Sequence, residues 1–311
     1  SSGYALAGLG KVLVASSVVW PTVLLGRVVD RIGKGIRSAP RDAMITAGIE
    51  PENYSRALGF HRSADTLGAV IGPLVALVGL HFANGDLRKV MWWAVVPAVA
   101  SVLLTFAIKE TRKTTEATAP SSSEPLPKMF WSTATPLIIF SLFNLPDTLL
   151  LLRLSQIGLS IQTVVLAYVG FNFVYTLAAY PAGILASKLR PHSVYSIGLI
   201  MCGISYVALG HITTEGPWLY FFVALFGLFP AFTDGIGKAI IALRTPSEIH
   251  GKAQGIFQSL AGGGILIAGL WAGAIWNFDG GKGTLPFTIA GVCALISGAV
   301  IARTRNGYVV N

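Results

Sequence analysis

The sequence has little charge and little cysteine. Only 12% of its 311 residues are Asp, Glu, Lys or Arg, which is about half the fraction typical of a soluble domain. A water-soluble core of this size could not hide so much apolar surface, so an ordinary soluble domain is excluded. The two cysteines, Cys202 and Cys293, both lie in apolar runs. Because such cysteines are usually buried and inert, neither a disulfide nor a metal site is expected from them.

The motifs of common catalytic and cofactor sites are missing as well. The five histidines are scattered, without the paired spacing of metal ligands. Gly262-Gly263-Gly264 is followed by apolar residues and not by the Lys-Ser/Thr of a phosphate-binding loop. These absences argue against an enzyme, a metal site, a cofactor and ATP-driven transport. The start from Ser1 to Lys11 also lacks the basic leader of a secretory signal.

Apolar and small residues are abundant instead. Hydrophobic residues make up 53% of the chain, the mean hydropathy is +0.66, and 35 residues are glycine. Such a composition predicts an all-α polytopic membrane protein, with the lipid bilayer as its surroundings. The net charge of +9 is typical of a membrane protein that keeps Lys and Arg in its cytoplasmic loops, so nucleic acid is not predicted as a partner.

The apolar runs divide into about ten membrane crossings, since about 20 apolar residues make one crossing. They lie near 4–19, 20–47, 57–82, 90–108, 130–155, 160–187, 193–213, 217–244, 252–277 and 284–303. A Lys-, Thr-, Ser- and Pro-rich stretch interrupts them. The chain is therefore divided into an N-terminal transmembrane half (1–108, four helices), a linker (109–128) and a C-terminal half (129–311, six helices).

Basic residues predict the orientation in the membrane. Lys and Arg flank the linker and recur in the turns after 187 and 243 and in the tail, so the positive-inside rule puts these segments and both termini in the cytoplasm. Arg88, Lys89 and Arg153 are exceptions on the other side. A cell membrane of the bacterial inner-membrane type is predicted.

Charged side chains are concentrated in one stripe of the second crossing. A charge at mid-bilayer costs about 2.5–3.5 kcal/mol, so the stripe must face a cavity or paired helices. The deeper part is assigned to transport and proton coupling, with a structural ion-pair network as the alternative: Arg27, Asp30, Arg31 and Lys34. The cytoplasmic part is assigned to a structural ion-pair cluster, with a cavity role as the alternative: Arg37, Arg41 and Asp42.

The third crossing carries a second polar face. Asp65 follows His61 by one turn and Arg62 by three residues. In a low dielectric the neutral carboxyl is favoured, which would suit a proton carrier. The alternative is that Arg62 or Arg27 keeps Asp65 ionised in a structural pair. We assign Asp65 to proton coupling, and His61 and Arg62 to the substrate cavity.

Polar residues in the second half complete the predicted cavity. Asn144 and Asp147 are three residues apart and are expected on one face of the fifth crossing, where Pro146 would open the local backbone bonding. Tyr168 and Asn172 share a face of the sixth crossing with Tyr175. Packing is the alternative role for the two tyrosines.

An internal repeat relates the two halves. Asp30-Arg31-Ile32-Gly33-Lys34-Gly35 returns as Asp234-Gly235-Ile236-Gly237-Lys238-Ala239, and each copy is followed by a second matching block and a basic turn. Two matches in the same order indicate a duplicated half. The second copy has lost most of the cations, and Asp234 with Lys238 is expected to form a pair within its own helix.

Three segments resemble motifs of the major facilitator superfamily of secondary transporters. The segment 27–35, with Arg27, Gly33 and Gly35, is similar to the family's fourth-helix motif. Gly68 to Pro73, with Gly72, resembles its fifth-helix motif, which is associated with exporters. Residues 181–190, with Gly183, resemble the cytoplasmic loop motif of the second half.

The resemblance implies a bundle of two six-helix halves that alternate in access to a central site. Four plus six helices instead of six plus six implies that the first two helices are missing, and a genuine ten-helix protein is the alternative. We expect a proton-coupled exporter, an antiporter, of a small anionic solute that binds without a cofactor. A membrane receptor or assembly subunit that no longer transports is the alternative function.

Overall fold

A computed structural model describes residues 2–107 and 125–303, and every regular element in these two ranges is helical. Most of the predicted linker, and the end of the tail, lie outside the described residues. The α-helices are α1 (Ser2–Ser16), α2 (Trp20–Thr46), α3 (Tyr54–Phe82), α4 (Leu87–Trp93), α5 (Val95–Ala107), α6 (Lys128–Ser141), α7 (Asp147–Gln156), α8 (Ile161–Lys188), α9 (Pro191–His211), α10 (Pro217–Ala242), α11 (His250–Ile275) and α12 (Thr284–Ala302). Short 3-10 turns lie at Pro51–Asn53, Ser247–Ile249 and Trp276–Asp279.

Six helical stretches are long and apolar enough to cross a membrane by length and composition: Pro51–Phe82, Ile161–Lys188, Pro191–His211, Pro217–Ala242, Ser247–Asp279 and Thr284–Ala302. The shorter Gly3–Ser16 is also apolar. The prediction of an all-α polytopic membrane protein is confirmed. A length of about 20 apolar residues per crossing is what fixes these elements, because every backbone group in lipid must be bonded within its own helix.

Two predicted crossings are not single helices. The segment 90–108 is divided at Ala94 into α4 and α5, and the segment 130–155 is divided at residues 142–146 into α6 and α7. Proline contributes to both divisions, because it has no N–H to donate to the carbonyl four residues earlier. Pro97 leaves the carbonyl of Trp93 without that bond, and Pro146 leaves the carbonyl of Leu142 without it.

The described chain forms two compact units. The first contains residues 2–42 and 72–107, and the second contains residues 43–71 and 125–303. Residues 43–71, which the sequence division puts in the N-terminal half, thus pack within the second unit. In that unit α9 lies along α10 and α12, and α8 lies along α10. Its core includes Tyr206, which contacts the rings of Phe226 and Phe287.

Glycines allow close helix contacts in both units. In the first unit, a Cβ built at Gly33 would lie 2.7 Å from the backbone N of Ala7 on α1. In the second unit, a Cβ at Gly183 would lie 2.5 Å from the carbonyl O of Ser55 on α3. Small residues let membrane helices approach in this way. Three other motif glycines have no described atom within 4 Å of such a Cβ: Gly35, Gly68 and Gly72.

Two arginines bind the last carbonyls of a helix. Arg153 on α7 is only 2% exposed, and its guanidinium donates to the carbonyls of Leu209, Gly210 and Ile212 at the end of α9. Arg88 on α4 donates to the carbonyl of Ser17 just after α1, at 2.9 Å. Cations at a helix C-terminus satisfy carbonyls that have no partner within the helix. These contacts account for two of the exceptions to the predicted charge distribution.

Candidate functional site

The break between α6 and α7 is held open by side chains of two other helices. The indole N–H of Trp271 on α11 donates to the carbonyl of Leu142 at 2.8 Å. The hydroxyl of Tyr206 on α9 donates to the carbonyl of Leu145 at 3.1 Å. Non-helical backbone at membrane depth is tolerated where other groups satisfy it in this way. The break therefore places Asn144 and Pro146 against a cavity.

The cavity has a volume of about 250 Å³ and lies wholly within the second unit. We name it the carboxylate cavity. Its polar lining residues are Asn144, Asp147, Asn172, Tyr175 and Asp234, and its apolar ones are Leu145, Pro146, Phe171, Phe226, Phe229, Pro230 and Ile265. The lining contains no Lys, Arg or His, so its formal charges are the two carboxylates.

The two carboxylates are held differently. Asp234 on α10 accepts a hydrogen bond from the Tyr175 hydroxyl on α8, with a distance of 2.7 Å between Oδ2 and Oη. Asp147 is the first residue of α7, where the helix dipole favours a negative charge. Both side chains are exposed where they line the cavity. Their charges are therefore available to a bound solute.

Some of the residues predicted to line a substrate cavity line the carboxylate cavity, and others do not. Asn144 and Asp147 do line one cavity, but they do not share a helix face, because the helix is broken between them. Asn172 lines the cavity and donates to the carbonyl of Tyr168 at 2.8 Å. Tyr168 itself packs edge-on against Phe171 and is not a lining residue.

The polar face of α3 lies outside the lining of this cavity. Arg62 Nη1 lies 3.5 Å from Asp65 Oδ2, and the Asp65 side chain is 46% exposed. His61 is half-buried. Arg62 is near enough to Tyr175 for an electrostatic interaction. The structure thus joins Arg62 and Asp65 to each other, as the three-residue spacing predicts.

In the first unit, the ion partner of Asp30 is Lys34. Lys34 Nζ lies 2.9 Å from Asp30 Oδ2, one turn along α2. Arg27 and Arg31 are exposed. Lys11 on α1, which the sequence prediction did not include, interacts electrostatically with Asp30. Asp30 is therefore surrounded by amino groups from two helices.

The cytoplasmic part of the stripe makes compact contacts. The Arg37 guanidinium lies 4.4 Å from the centre of the Tyr4 ring, and Arg41 Nε lies 3.6 Å from Asp42 Oδ1. Asp42 is almost fully buried. Contacts of this kind favour a structural role for this part of α2.

The pairing of Asp234 with Tyr175 was not predicted. The internal repeat singles out Asp234 and the helical spacing singles out Tyr175 as candidate site residues. Because 59 residues separate them, the sequence does not show that they are in contact. The bonds from Tyr206 and Trp271 to the α6–α7 break were not predicted either. Pro146 was a signal for the bond from Trp271, because proline leaves the carbonyl four residues earlier, that of Leu142, without its helical donor.

Comparisons with known proteins agree with the helical architecture. The profile of the Major Facilitator Superfamily matches residues 1–164 and 129–307. The chain is 27% identical over 307 residues to an uncharacterized MFS-type transporter of Methanocaldococcus jannaschii, which covers 96% of this chain and 76% of that protein. It is 25% identical over 294 residues to an uncharacterized protein of Mycobacterium tuberculosis, which covers 84% of this chain and 66% of that protein.

Solved structures show the same fold. The crystal structure of the human organic anion transporter MFSD10 has a TM-score of 0.73 at 16% identity, covering 96% of this chain and 75% of that one. The Escherichia coli fucose:proton symporter FucP has a TM-score of 0.67 at 12% identity, covering 97% and 83%. Together with the profile match over both parts of the sequence, these findings show that the chain belongs to the major facilitator superfamily of membrane transporters.

Proposed function

We propose that this chain is a secondary active transporter that moves a small solute by alternating access and holds that solute in the carboxylate cavity. The observation that carries the proposal is the convergence of Asn144, Asp147 and Asn172 with Tyr175 and Asp234 on one cavity. These side chains come from separate segments of the second unit, and a transporter family supplies the context. Convergent polar groups in an otherwise apolar cavity are typical of a solute site.

The charged residues of the two units bear on which charge the solute carries. The exposed Arg27, Arg31 and Lys34 of α2 favour an anionic solute near the first unit. The lining of the carboxylate cavity favours the opposite charge, because Asp147 and Asp234 are the formal charges among its described lining residues. We propose that the group of the solute that enters this cavity is a cation or a hydrogen-bond donor. The proposed anion preference is then confined to α2.

Proton exchange is proposed at Asp65 in preference to Asp30. The Asp30–Lys34 contact is 2.9 Å, whereas the Arg62–Asp65 contact is 3.5 Å and the Asp65 side chain is 46% exposed. The longer ion pair, whose carboxylate is also the more exposed of the two, is the one that a conformational change can separate at less cost. Arg27, which is exposed on α2, is proposed as a second residue required for coupling. Export is proposed on the resemblance of Gly68 to Pro73, and a bacterial-type inner membrane with cytoplasmic termini on the basic turns.

Proteoliposomes test solute binding and coupling together. We would enclose a pH-sensitive dye, impose a pH difference, and add matched small amines and carboxylates one at a time. Wild-type protein should move protons with one member of the panel, and Asp234→Asn should remove that response. Arg27→Ala and Asp65→Asn should abolish pH-driven flux while insertion is retained. Glu215→Gln, an exposed carboxylate outside the cavity, is the matched control.

A receptor or assembly subunit without transport is the alternative. It predicts binding of a panel member to the purified protein with no flux in the same proteoliposomes. Wild-type coupling in both Arg27→Ala and Asp65→Asn would overturn the proton assignment. Cysteine labelling at Ser122 from the outside of intact cells would overturn the proposed orientation.

A further inference from the structure

A small polar cavity lies at one end of the second unit, apart from the carboxylate cavity. Its volume is about 220 Å³. It is bounded by the first half of α6, the start of α9, the turn after α10 and the last turn of α12. We name it the arginine pocket. Its polar lining residues are Ser132, Thr133, His192 and Arg244, and none of these four lines the carboxylate cavity.

The described lining of the arginine pocket carries positive charge and no negative charge. Arg244 is 8% exposed and His192 is 7% exposed, so both side chains are more than nine-tenths buried where they line the pocket. No Asp or Glu is among the described lining residues. A histidine ring has at least one N–H group in either tautomer. A cavity with walls of one charge sign attracts ions of the opposite sign. The lining therefore favours an anion.

The position of His192 adds a second, separate preference for an anion. It is the second residue of α9, a helix of 21 residues that begins at Pro191. The first N–H groups of a helix have no carbonyl partner within the helix, and the helix dipole gives this end a partial positive charge. Phosphate groups bind at helix starts for both reasons. The start of α9 and the Arg244 guanidinium thus favour the same kind of ligand.

Thr133 on α6 offers a neutral donor on another wall. It is 7% exposed, and its hydroxyl has no hydrogen-bond partner among residues 2–107 and 125–303. The buried Thr176 and Thr233 instead donate to the carbonyl four residues earlier in their own helices. The Thr133 hydroxyl is not enclosed by protein atoms, and the residue lines the pocket. Its O–H group is therefore accessible to a molecule in the pocket.

The size of the pocket and the placing of its donors narrow the class of anion. A volume of about 220 Å³ is below the range of about 300–1,000 Å³ of sites for drug-sized ligands. The donors come from three segments, namely α6, the start of α9 and the turn after α10. A tetrahedral oxyanion has acceptor oxygens that point in several directions, and a guanidinium can bind two of them at once. A phosphate group meets these conditions better than a planar carboxylate.

We propose that the arginine pocket binds a phosphate group at a site separate from the solute site. The adjoining turns after α8 and α10 are basic and belong to the side predicted to be cytoplasmic. Two sources supply phosphate groups there: soluble phosphate compounds and the headgroups of anionic lipids. The chemistry of recognition is the same for both. The proposal does not depend on which solute is transported.

The experiment uses the full chain, purified in detergent, stripped of lipid and kept in a phosphate-free buffer. Calorimetry measures the binding of inorganic phosphate, of dihexanoyl phosphatidate, and of acetate at the same ionic strength. The phosphate probes are expected to bind about tenfold more tightly than acetate. Arg244→Gln should weaken phosphate binding about tenfold or more, because it removes charge-assisted bonds, and Thr133→Val should weaken it about threefold.

Arg190→Gln is the matched control, because Arg190 is an exposed cation just before α9 and is not a lining residue. It should change phosphate affinity by less than about twofold. The two phosphate probes distinguish the sources. Tighter binding of phosphatidate than of inorganic phosphate would assign the pocket to a lipid headgroup, whereas equal or weaker binding would assign it to a soluble phosphate compound. Either result supports the proposal.

Three outcomes would overturn the proposal: no binding of either phosphate probe, equal affinities for inorganic phosphate and acetate, and equal losses in Arg190→Gln and Arg244→Gln. If Arg244→Gln does not fold, Thr133→Val takes its place, and an unchanged affinity in that variant would also overturn the proposal. Asp234→Asn should leave phosphate binding unchanged. A failure of the solute site in the carboxylate cavity is thereby distinguished from a failure of the arginine pocket.

Discussion

The helices α2 and α10 carry two copies of one sequence pattern but use its aspartate differently. On α2, Asp30 is paired with Lys34 of the same helix at 2.9 Å. On α10, Asp234 accepts a hydrogen bond from the neutral Tyr175 hydroxyl and lines the carboxylate cavity. A carboxylate neutralised by its own helix has little charge left for a solute, whereas one held by a hydroxyl keeps its charge. This difference is why we propose the copy with fewer cations as the solute site.

The glycines of the two copies differ as well. A Cβ at Gly33 on α2 would meet the backbone of α1 at 2.7 Å, whereas one at Gly237 on α10 would meet only side chains, the nearest being Tyr195 at 3.1 Å. Side chains can rotate away and backbone cannot. The glycine that both copies share thus permits close backbone packing in the first unit and packing against side chains in the second.

The largest difference between the units is expected for their carbonyl-binding arginines. Arg153→Met in the second unit removes the donors to three carbonyls at a buried position and should lower the free energy of unfolding by about 3 kcal/mol. Arg88→Met in the first unit removes one exposed bond and should cost less than about 0.5 kcal/mol. Unfolding in denaturant and detergent measures both. Equal losses would contradict the difference in burial.

Alanine substitutions at Gly33 and Gly237 test the difference in helix packing between the two units. Gly33→Ala should lower the free energy of unfolding by about 2 kcal/mol, because the new methyl group meets backbone atoms. Gly237→Ala should cost less, since the Tyr195 ring can move. Gly35→Ala is the matched control on α2, because no described atom lies within 4 Å of its Cβ. A neutral Gly33→Ala in the same unfolding measurement would refute the close contact with α1.

Asparagine substitutions compare the two aspartates directly. Asp234→Asn should lower solute binding about tenfold, because it removes one of the two charges of the carboxylate cavity. Asp30→Asn should change binding about twofold at most, because its charge is already paired with Lys34. Binding to the purified protein is the measurement. A larger effect of Asp30→Asn than of Asp234→Asn would indicate that the solute binds at α2, where the sequence shows the stripe of charged residues.

The smallest effect is expected at the start of α4 in the first unit. The backbone N–H of Lys89 donates to the Asp86 carboxylate, as does that of Arg88, and these bonds lower the pKa of Asp86 below its ordinary value. Its contribution is therefore present above the pKa of the unfolded chain and is lost as the pH falls through the lower folded pKa. The protection factors of the α4 amides, which are corrected for the intrinsic exchange rate at each pH, should fall slightly between about pH 5 and pH 3. Asp86→Asn should remove this dependence on pH.

The positions of the helices were predictable because bilayer thickness dictates the length of a crossing. Trp20–Thr46 and Ile161–Lys188 agree with the predicted segments within one residue at each end. The division at residues 142–146 was not predicted as a break, although Pro146 marked it. Whether a membrane proline bends a helix or ends it depends on donors elsewhere, here Trp271 and Tyr206, and a single sequence does not reveal which helix supplies them.

The candidate site was predictable as a set of polar residues and not as a geometry. Spacing placed Asn144 beside Asp147 and Asn172 beside Tyr175, but it could not bring the two pairs to one cavity. It also gave Asp234 a partner on its own helix, Lys238, which stays a prediction, but it did not reveal the hydrogen bond from the Tyr175 hydroxyl. Local charge spacing is visible in a sequence, whereas contacts between distant segments depend on which helix faces meet.

The bonds of Arg88 and Arg153 to helix ends affect how orientation is deduced from loop composition. The positive-inside rule treats each cation as a group that responds to the membrane potential and to lipid phosphate. A guanidinium whose N–H groups donate to peptide carbonyls keeps its charge, but it has few donors left for lipid phosphate. For this protein, a charge tally weighted by solvent access would give Arg153 almost no weight and would still count the exposed Arg88. Leaving out Arg153 makes the asymmetry that the sequence predicts between the two membrane faces slightly larger than a count of all Lys and Arg residues gives.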